Sequence, residues 1–159
     1  MSNLERLQKL MSEIGPLVDK IEAVDQVGEA YWLFAFGEDT VLQIQYDEQA
    51  HKLILFTDLG APDEEHRLAV YEELLSFNYL WSETGGVRMA IEGPKGTVSQ
   101  ILDLFTLDLD ASALSTVMHG FCEKAEYWRD FIAHFSPPTE GAQAPPPQDD
   151  GPSGPAIRV

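Results

Sequence analysis

The chain has little that chemistry could be built on. One cysteine, Cys122, occurs in 159 residues, which forbids an internal disulfide and any CxxC metal or redox site and fits a reducing compartment. Basic residues are scarce: ten Lys and Arg stand against 27 Asp and Glu, for a net charge of −17. A field of that sign repels nucleic acid and anionic lipid, and no basic cluster offsets it, so neither is an expected partner. No apolar run approaches the roughly 18 residues of a membrane helix, and no basic-then-hydrophobic leader opens the sequence. A cytoplasmic location is expected. The four histidines, His51, His66, His119 and His134, include no i, i+4 pair of the kind that holds zinc on a helix.

Nucleophile and phosphate motifs are missing too. Ser76, Ser99 and Ser115 lack the context of a nucleophile elbow. Gly93-Pro94-Lys95-Gly96-Thr97 lacks phosphate-loop spacing, and Pro94 removes a backbone donor, so a hairpin turn is expected there. Asp103, Asp108 and Asp110 straddle a strand end and a helix start, where acids cap. The pairs Glu64-Glu65 and Glu72-Glu73 read as a solvated helix face. Cys122, beside Phe121 in a helical stretch with no cationic motif around it, reads as a buried structural thiol. The expectation is a protein that is not an enzyme and carries no cofactor and no metal.

What the chain does have is strand-like sequence with no polar side. Tyr31-Trp32-Leu33-Phe34-Ala35-Phe36 is apolar at every position, and Leu53-Ile54-Leu55-Phe56 repeats the pattern. A half-buried antiparallel strand alternates apolar and polar residues. A strand without alternation needs cover on both faces, and so few helices cannot supply it all. Another polypeptide is expected to cover the remainder.

The order of elements predicts an α+β fold. Ser2 with Glu5 three residues on is a capping box, and Leu4, Leu7, Met11 and Ile14 form the stripe of a first helix that ends at Gly15-Pro16. Leu17 to Glu29 is ambiguous between helix and short strand. Strands are predicted over Ala30 to Phe36, Thr40 to Tyr46 and Lys52 to Asp58, joined by turns short enough to demand an antiparallel meander. Pro62 and the acids after it open a second helix, its buried face traced by Leu68, Tyr71, Leu74, Leu75 and Asn78 or Tyr79. A hairpin follows: Val87, Met89 and Ile91 alternate with polar or small residues, Gly93 to Gly96 turns, and Thr97 to Phe105 returns. Asp110 caps a final helix with Leu114, Val117, Met118, Phe121, Ala125, Trp128 and Ile132 at helical spacing. Gly120 inside it suggests close approach to the sheet. The predicted order is α-β-β-β-α-β-β-α, a twisted antiparallel sheet packed by helices. The domain is expected to span 1–135. Seven of the ten prolines follow Phe135, and 136–159 reads as a disordered Pro-rich tail. That tail, with three acids against Arg158, holds −2 of the charge and leaves −15 on the body.

The joint order of several strings resembles the Tir chaperone family, the acidic class I chaperones of bacterial type III secretion. They are Leu53 to Gly60 (LILFTDLG), Tyr71 to Asn78 (YEELLSFN, where the family often reads LL-x-x-N), Gly86 to Ile91 with its following turn, and Leu107-Asp108-Leu109-Asp110 leading to the helix with Phe121, Ala125 and Trp128. The Pro-rich tail and Phe105-Thr106-Leu107 depart from the family pattern. The resemblance implies a homodimer that binds the unfolded N-terminal segment of a secreted effector and keeps it soluble without ATP. The alternative is a regulatory or adaptor protein on the same fold, acting outside secretion. By the same resemblance, Leu7, Met11, Trp32, Phe34 and Ile44 are expected to bind effector, and Tyr71, Leu75, Trp81, Val87 and Met89 to form the dimer interface.

Overall fold

The structure, a computed structural model, describes residues 1–138; the expected tail lies outside the described residues from Thr139 onward. Helix α1 (Asn3–Ile14) is followed by strands β1 (Ile21–Gly28), β2 (Tyr31–Phe36), β3 (Thr40–Asp47) and β4 (Lys52–Gly60). Helix α2 (Arg67–Tyr79), strands β5 (Arg88–Ile91) and β6 (Val98–Phe105) and helix α3 (Ala111–Ala133) complete the domain. The six strands form one antiparallel sheet in the order β1-β2-β3-β4-β6-β5.

Local signals explain most boundaries. The Ser2 hydroxyl accepts from the Glu5 N–H at 3.1 Å, and Glu5 returns a bond to the Ser2 N–H at 2.7 Å. These bonds, the one from the Ser2 backbone foremost, hold the Glu5 carboxyl below its ordinary value. Asp110 caps α3 by accepting from the Ala113 N–H at 2.7 Å. Gly37 turns β2 into β3 at a φ of +59°, where a side chain is strained. The sequence reading is corrected at three points. The ambiguous segment after α1 contains a full edge strand, β1, so the order gains a strand. The buried residues of α2 are Val70 and Leu74, while Leu68 and Leu75 are exposed. Gly120 has no neighbour within 4 Å of a built Cβ, so close approach to the sheet does not explain it.

Helices α1 and α3 lie on one face of the sheet, and α2 packs beside its β5 end. That face presents Trp32, Phe34 and Phe36 of β2, Leu42, Ile44 and Tyr46 of β3, and Leu53, Leu55 and Leu59 of β4, all buried. α1 adds Leu7, Met11 and Ile14, and α3 adds Leu114, Met118, Phe121 and Ala125 to the same core. Phe77 of α2 meets Trp128 of α3 edge-on at 5.2 Å between centroids. Arg6 fastens α1 to the β6–α3 link by donating to the carbonyls of Thr106 at 2.7 Å and Leu109 at 2.9 Å. In the core, Gln100 donates to the Phe121 carbonyl at 2.8 Å and ties β6 to α3.

Candidate functional site

Among the described residues, the opposite face of the sheet is without helical cover. β2 sends Tyr31, Leu33 and Ala35 there, and the register places Leu33, Gln43, Phe56 and Ile101 in one row across four strands. Leu33, Phe56, Ile54 and Ile101 are half-buried by one another, and Val41 is exposed. The Tyr31 ring stacks on Phe56 at 6.3 Å, and the Tyr31 hydroxyl is hydrogen-bonded to the Gln43 side chain. A shallow groove of about 380 Å³ crosses this face between Gln43, Phe56, Ile101 and Ala90. Toward its far side the face turns ionic. Asp103 is bonded to Lys52 at 2.8 Å and to Arg88 at 3.2 Å. Burial pushes the Asp103 carboxyl up, but those two cations outweigh it and hold the group below its ordinary value.

The outer face ends at β1, an edge strand that among the described residues pairs only with β2 and is exposed from Glu22 to Gly28. An edge of this kind offers unpaired backbone donors and acceptors to a further strand. Together the face and the edge can hold an extended chain, with backbone bonds along β1 and alternate side chains on the apolar rows.

A second apolar surface lies at the other end of the sheet. Val70, Leu74 and Phe77 use the inward side of α2, but Leu68, Leu75 and Tyr79 lie on another side. A helix apolar on two sides needs two neighbours, and the described residues supply one. Leu75 is 66% exposed and Trp81, just past the helix end, is 76% exposed, with Tyr79, Leu80 and Ile91 also open. Between α2 and β5 runs an apolar groove of about 150 Å³ lined by Tyr71, Leu75, Met89 and Ile91. The Tyr71 hydroxyl is buried at this groove and has no hydrogen-bond partner within the described residues.

The sequence-expected residues divide between surface and core. Leu7, Met11, Trp32, Phe34 and Ile44, expected to touch an effector, are at most 1% exposed. That expectation is corrected: they join α1 and α3 to the sheet and offer a partner no surface. Of the expected dimer residues, Leu75 and Trp81 are exposed and Tyr71 is half-buried, whereas Val87 and Met89 are buried within the protomer. The outer-face residues Tyr31, Leu33, Ile54, Phe56 and Ile101 were not singled out from sequence, nor were Tyr79 and Ile91. For Tyr31, Leu33, Ile54 and Phe56 the signal is the absence of alternation in the very strands that carry the core.

Reactive chemistry is sparse. Among the described residues no three His, Cys, Asp or Glu side chains gather as metal ligands, and no helix is long and apolar enough to cross a membrane. The Cys122 thiol is buried, and burial, reinforced by the charge of Glu126, pushes it up to about 12.

Residues 25–129 match the model of the Tir chaperone protein (CesT) family. The fold is similar to that of a chain in the crystal structure of the ExsC–ExsE complex, with a TM-score of 0.66 and 17% identity over 83% of this chain and 97% of that one. A chain in the structure of the HopA1–SchA chaperone–effector complex gives a TM-score of 0.63 and 15% identity, covering 82% of this chain and 97% of its own. The Yersinia pestis type III secretion chaperone SycH, crystallised with a stable fragment of YscM2, gives 0.55 and 16%, covering 80% and 99%. No curated protein sequence matches the chain.

Proposed function

Because the chain belongs to the Tir chaperone protein (CesT) family, we propose that it is a type III secretion chaperone, acting in the bacterial cytoplasm as a homodimer on the unfolded N-terminal segment of an effector. The observation that carries this reading is the outer sheet face, which among the described residues has no helix over it, presents Leu33, Phe56 and Ile101 around Gln43, and is continuous with the open edge of β1. An extended segment adds its backbone to β1 and lays alternate apolar side chains over Leu33, Phe56 and Ile101. Ordering such a segment costs several kcal/mol of the gross interaction, so affinity comes from the length of chain engaged. The α2–β5 surface is left for a second copy of the chain, since a two-fold contact uses the same patch on both partners. Nothing in this mechanism requires nucleotide or bond chemistry. The chaperone shields the segment by mass action and gives it up when something else pulls.

Coexpression with N-terminal segments of candidate effectors, followed by affinity capture and mass spectrometry, tests the reading. Phe56→Asp should reduce the captured segment at least about tenfold, as expected for loss of an aromatic anchor, while the dimer and a cooperative thermal melt are kept. Equal capture by the wild type and by Phe56→Asp would remove the outer face as the binding surface.

A further inference from the structure

The two edges of the sheet are finished differently. At the β1 edge, among the described residues, no side chain hydrogen-bonds the backbone between Glu22 and Val27; Gln26 reaches only the carbonyls of Gly28 and Glu29, where the strand ends. At the β5 edge one side chain occupies the middle of the strand. Met89 lies opposite Gln100 of β6. Its N–H donates to Asn78 Oδ1 at 2.8 Å, and Asn78 Nδ2 donates to its carbonyl at 2.9 Å. A planar carboxamide has one acceptor and donors set as in a peptide group, and this pair of bonds is what a neighbouring antiparallel strand would give to one residue. Local turns take up one backbone group on either side, which leaves the Val87 carbonyl and the Ile91 N–H as the edge groups without a bond among the described residues. The Val87 N–H donates to the Thr84 carbonyl at 3.4 Å, and the Ile91 carbonyl accepts from the Gly93 N–H at 3.0 Å.

Asn78 stands on the last turn of α2, three residues past Leu75 and just before the exposed Tyr79 and Trp81. Without it, β5 would present an unpaired Met89 peptide beside an apolar groove, the combination that invites edge-to-edge pairing. We infer that the Asn78 carboxamide is an edge stop: it stands in for the backbone of a seventh strand on β5. Strand addition is thereby sent to β1, and two copies of the chain meet through the side chains of α2 instead of through paired β5 strands. The inference deepens the proposed function and rests on its premise that a client extends the sheet.

Amide hydrogen exchange on the full chain, followed by light scattering, tests it. In the wild type the Met89 amide should be protected, and β1 amides not bonded to β2 should exchange freely. Asn78→Ala should speed Met89 exchange about tenfold, the loss of one or two net hydrogen bonds. Asn78→Leu keeps the bulk but has no acceptor and should speed Met89 exchange as Asn78→Ala does, a result that a packing role for Asn78 would not produce. Asn78→Ala should also form species larger than the dimer as concentration rises. Unprotected Met89 in the wild type, or unchanged Met89 exchange and unchanged mass in Asn78→Ala, would overturn the edge stop. If Asn78→Ala does not fold, the comparison of wild type with Asn78→Leu decides alone. Failure to capture any effector segment would defeat the chaperone reading while leaving these exchange rates as they are.

Discussion

Trp81→Ala measures the proposed dimer contact with little interference from the fold. Trp81 is 76% exposed in the protomer and lies outside the hydrophobic core. A fully buried tryptophan removes up to about 250 Å² from water, so covering three-quarters of one hides roughly 190 Å², or about 5 kcal/mol at about 25 cal/mol per Å². Buried area overstates affinity because association and side-chain ordering take back much of the gain. A central tryptophan truncated in an interface costs about 2 kcal/mol or more. In a two-fold dimer the loss occurs twice, giving about 4 kcal/mol and a dimer weaker by roughly 10³-fold. Sedimentation equilibrium over a wide concentration range reads that change directly. Far-ultraviolet circular dichroism should not move, and any fall in melting temperature should depend on protein concentration, as it does when assembly is what was lost. A dissociation constant within about threefold of the wild type would refute the placement of the dimer at α2 and β5.

Two further outcomes follow from burial and charge. Trp32→Glu should abolish the cooperative melt, because an unpaired carboxylate would replace a 1%-exposed core tryptophan in a domain with about 5–15 kcal/mol to lose; Val41→Glu, on the neighbouring strand but facing out, should melt like the wild type, and a folded Trp32→Glu would contradict the assignment of the two faces. For Asp103 the folded-state value lies below the ordinary 3.8, so its contribution is present above that value and is lost as pH falls through the folded one. Asp103→Asn should cost up to about 1 kcal/mol at pH 7, a partly exposed network being screened by water, and nothing once the wild-type carboxyl is protonated. Urea unfolding of both proteins at pH 7 and in strong acid reads the difference, and an equal gap at the two pH values would show that Asp103 stabilises by packing.

Much of the fold is legible in the sequence because its signals are local. The capping box at Ser2, the cap at Asp110 and the turns at Gly37 and Gly93 each act within a few residues, and each marks a real boundary. β1 was ambiguous for a physical reason. As an edge strand exposed along nearly its whole length, with irregular register at both ends, it has no core face to impose alternation on Ile21 to Gly28. The α2 face was misassigned for the opposite reason. Its sequence is apolar at Leu68, Val70, Tyr71, Leu74, Leu75 and Phe77, so periodicity alone admits more than one inward stripe. The choice among them is made by Trp128, about fifty residues further along the chain.

The proposed binding surface poses the same problem in a strand, and there a neighbouring strand resolves it. Alternation identifies two sets of side chains in β2 but cannot orient them when both are apolar. β3 breaks the tie. Its two sets differ: Leu42, Ile44 and Tyr46 in one, Gln43 and Gln45 in the other. The tight Gly37-Glu38-Asp39 turn pairs Phe36 with Thr40, and that pairing sets Phe34 against Leu42, Trp32 against Ile44 and Leu33 against Gln43. Residues directly opposite in a sheet share a face. The glutamines go to the watered side, so Leu33 and Tyr31 must go with them, and Trp32, Phe34 and Phe36 must go to the helices. Tyr31 fits that assignment chemically, since its hydroxyl has Gln43 to bond. The core of β2 and its outward surface thus follow from the register of one hairpin, and what that register leaves outside is the surface proposed for a partner chain.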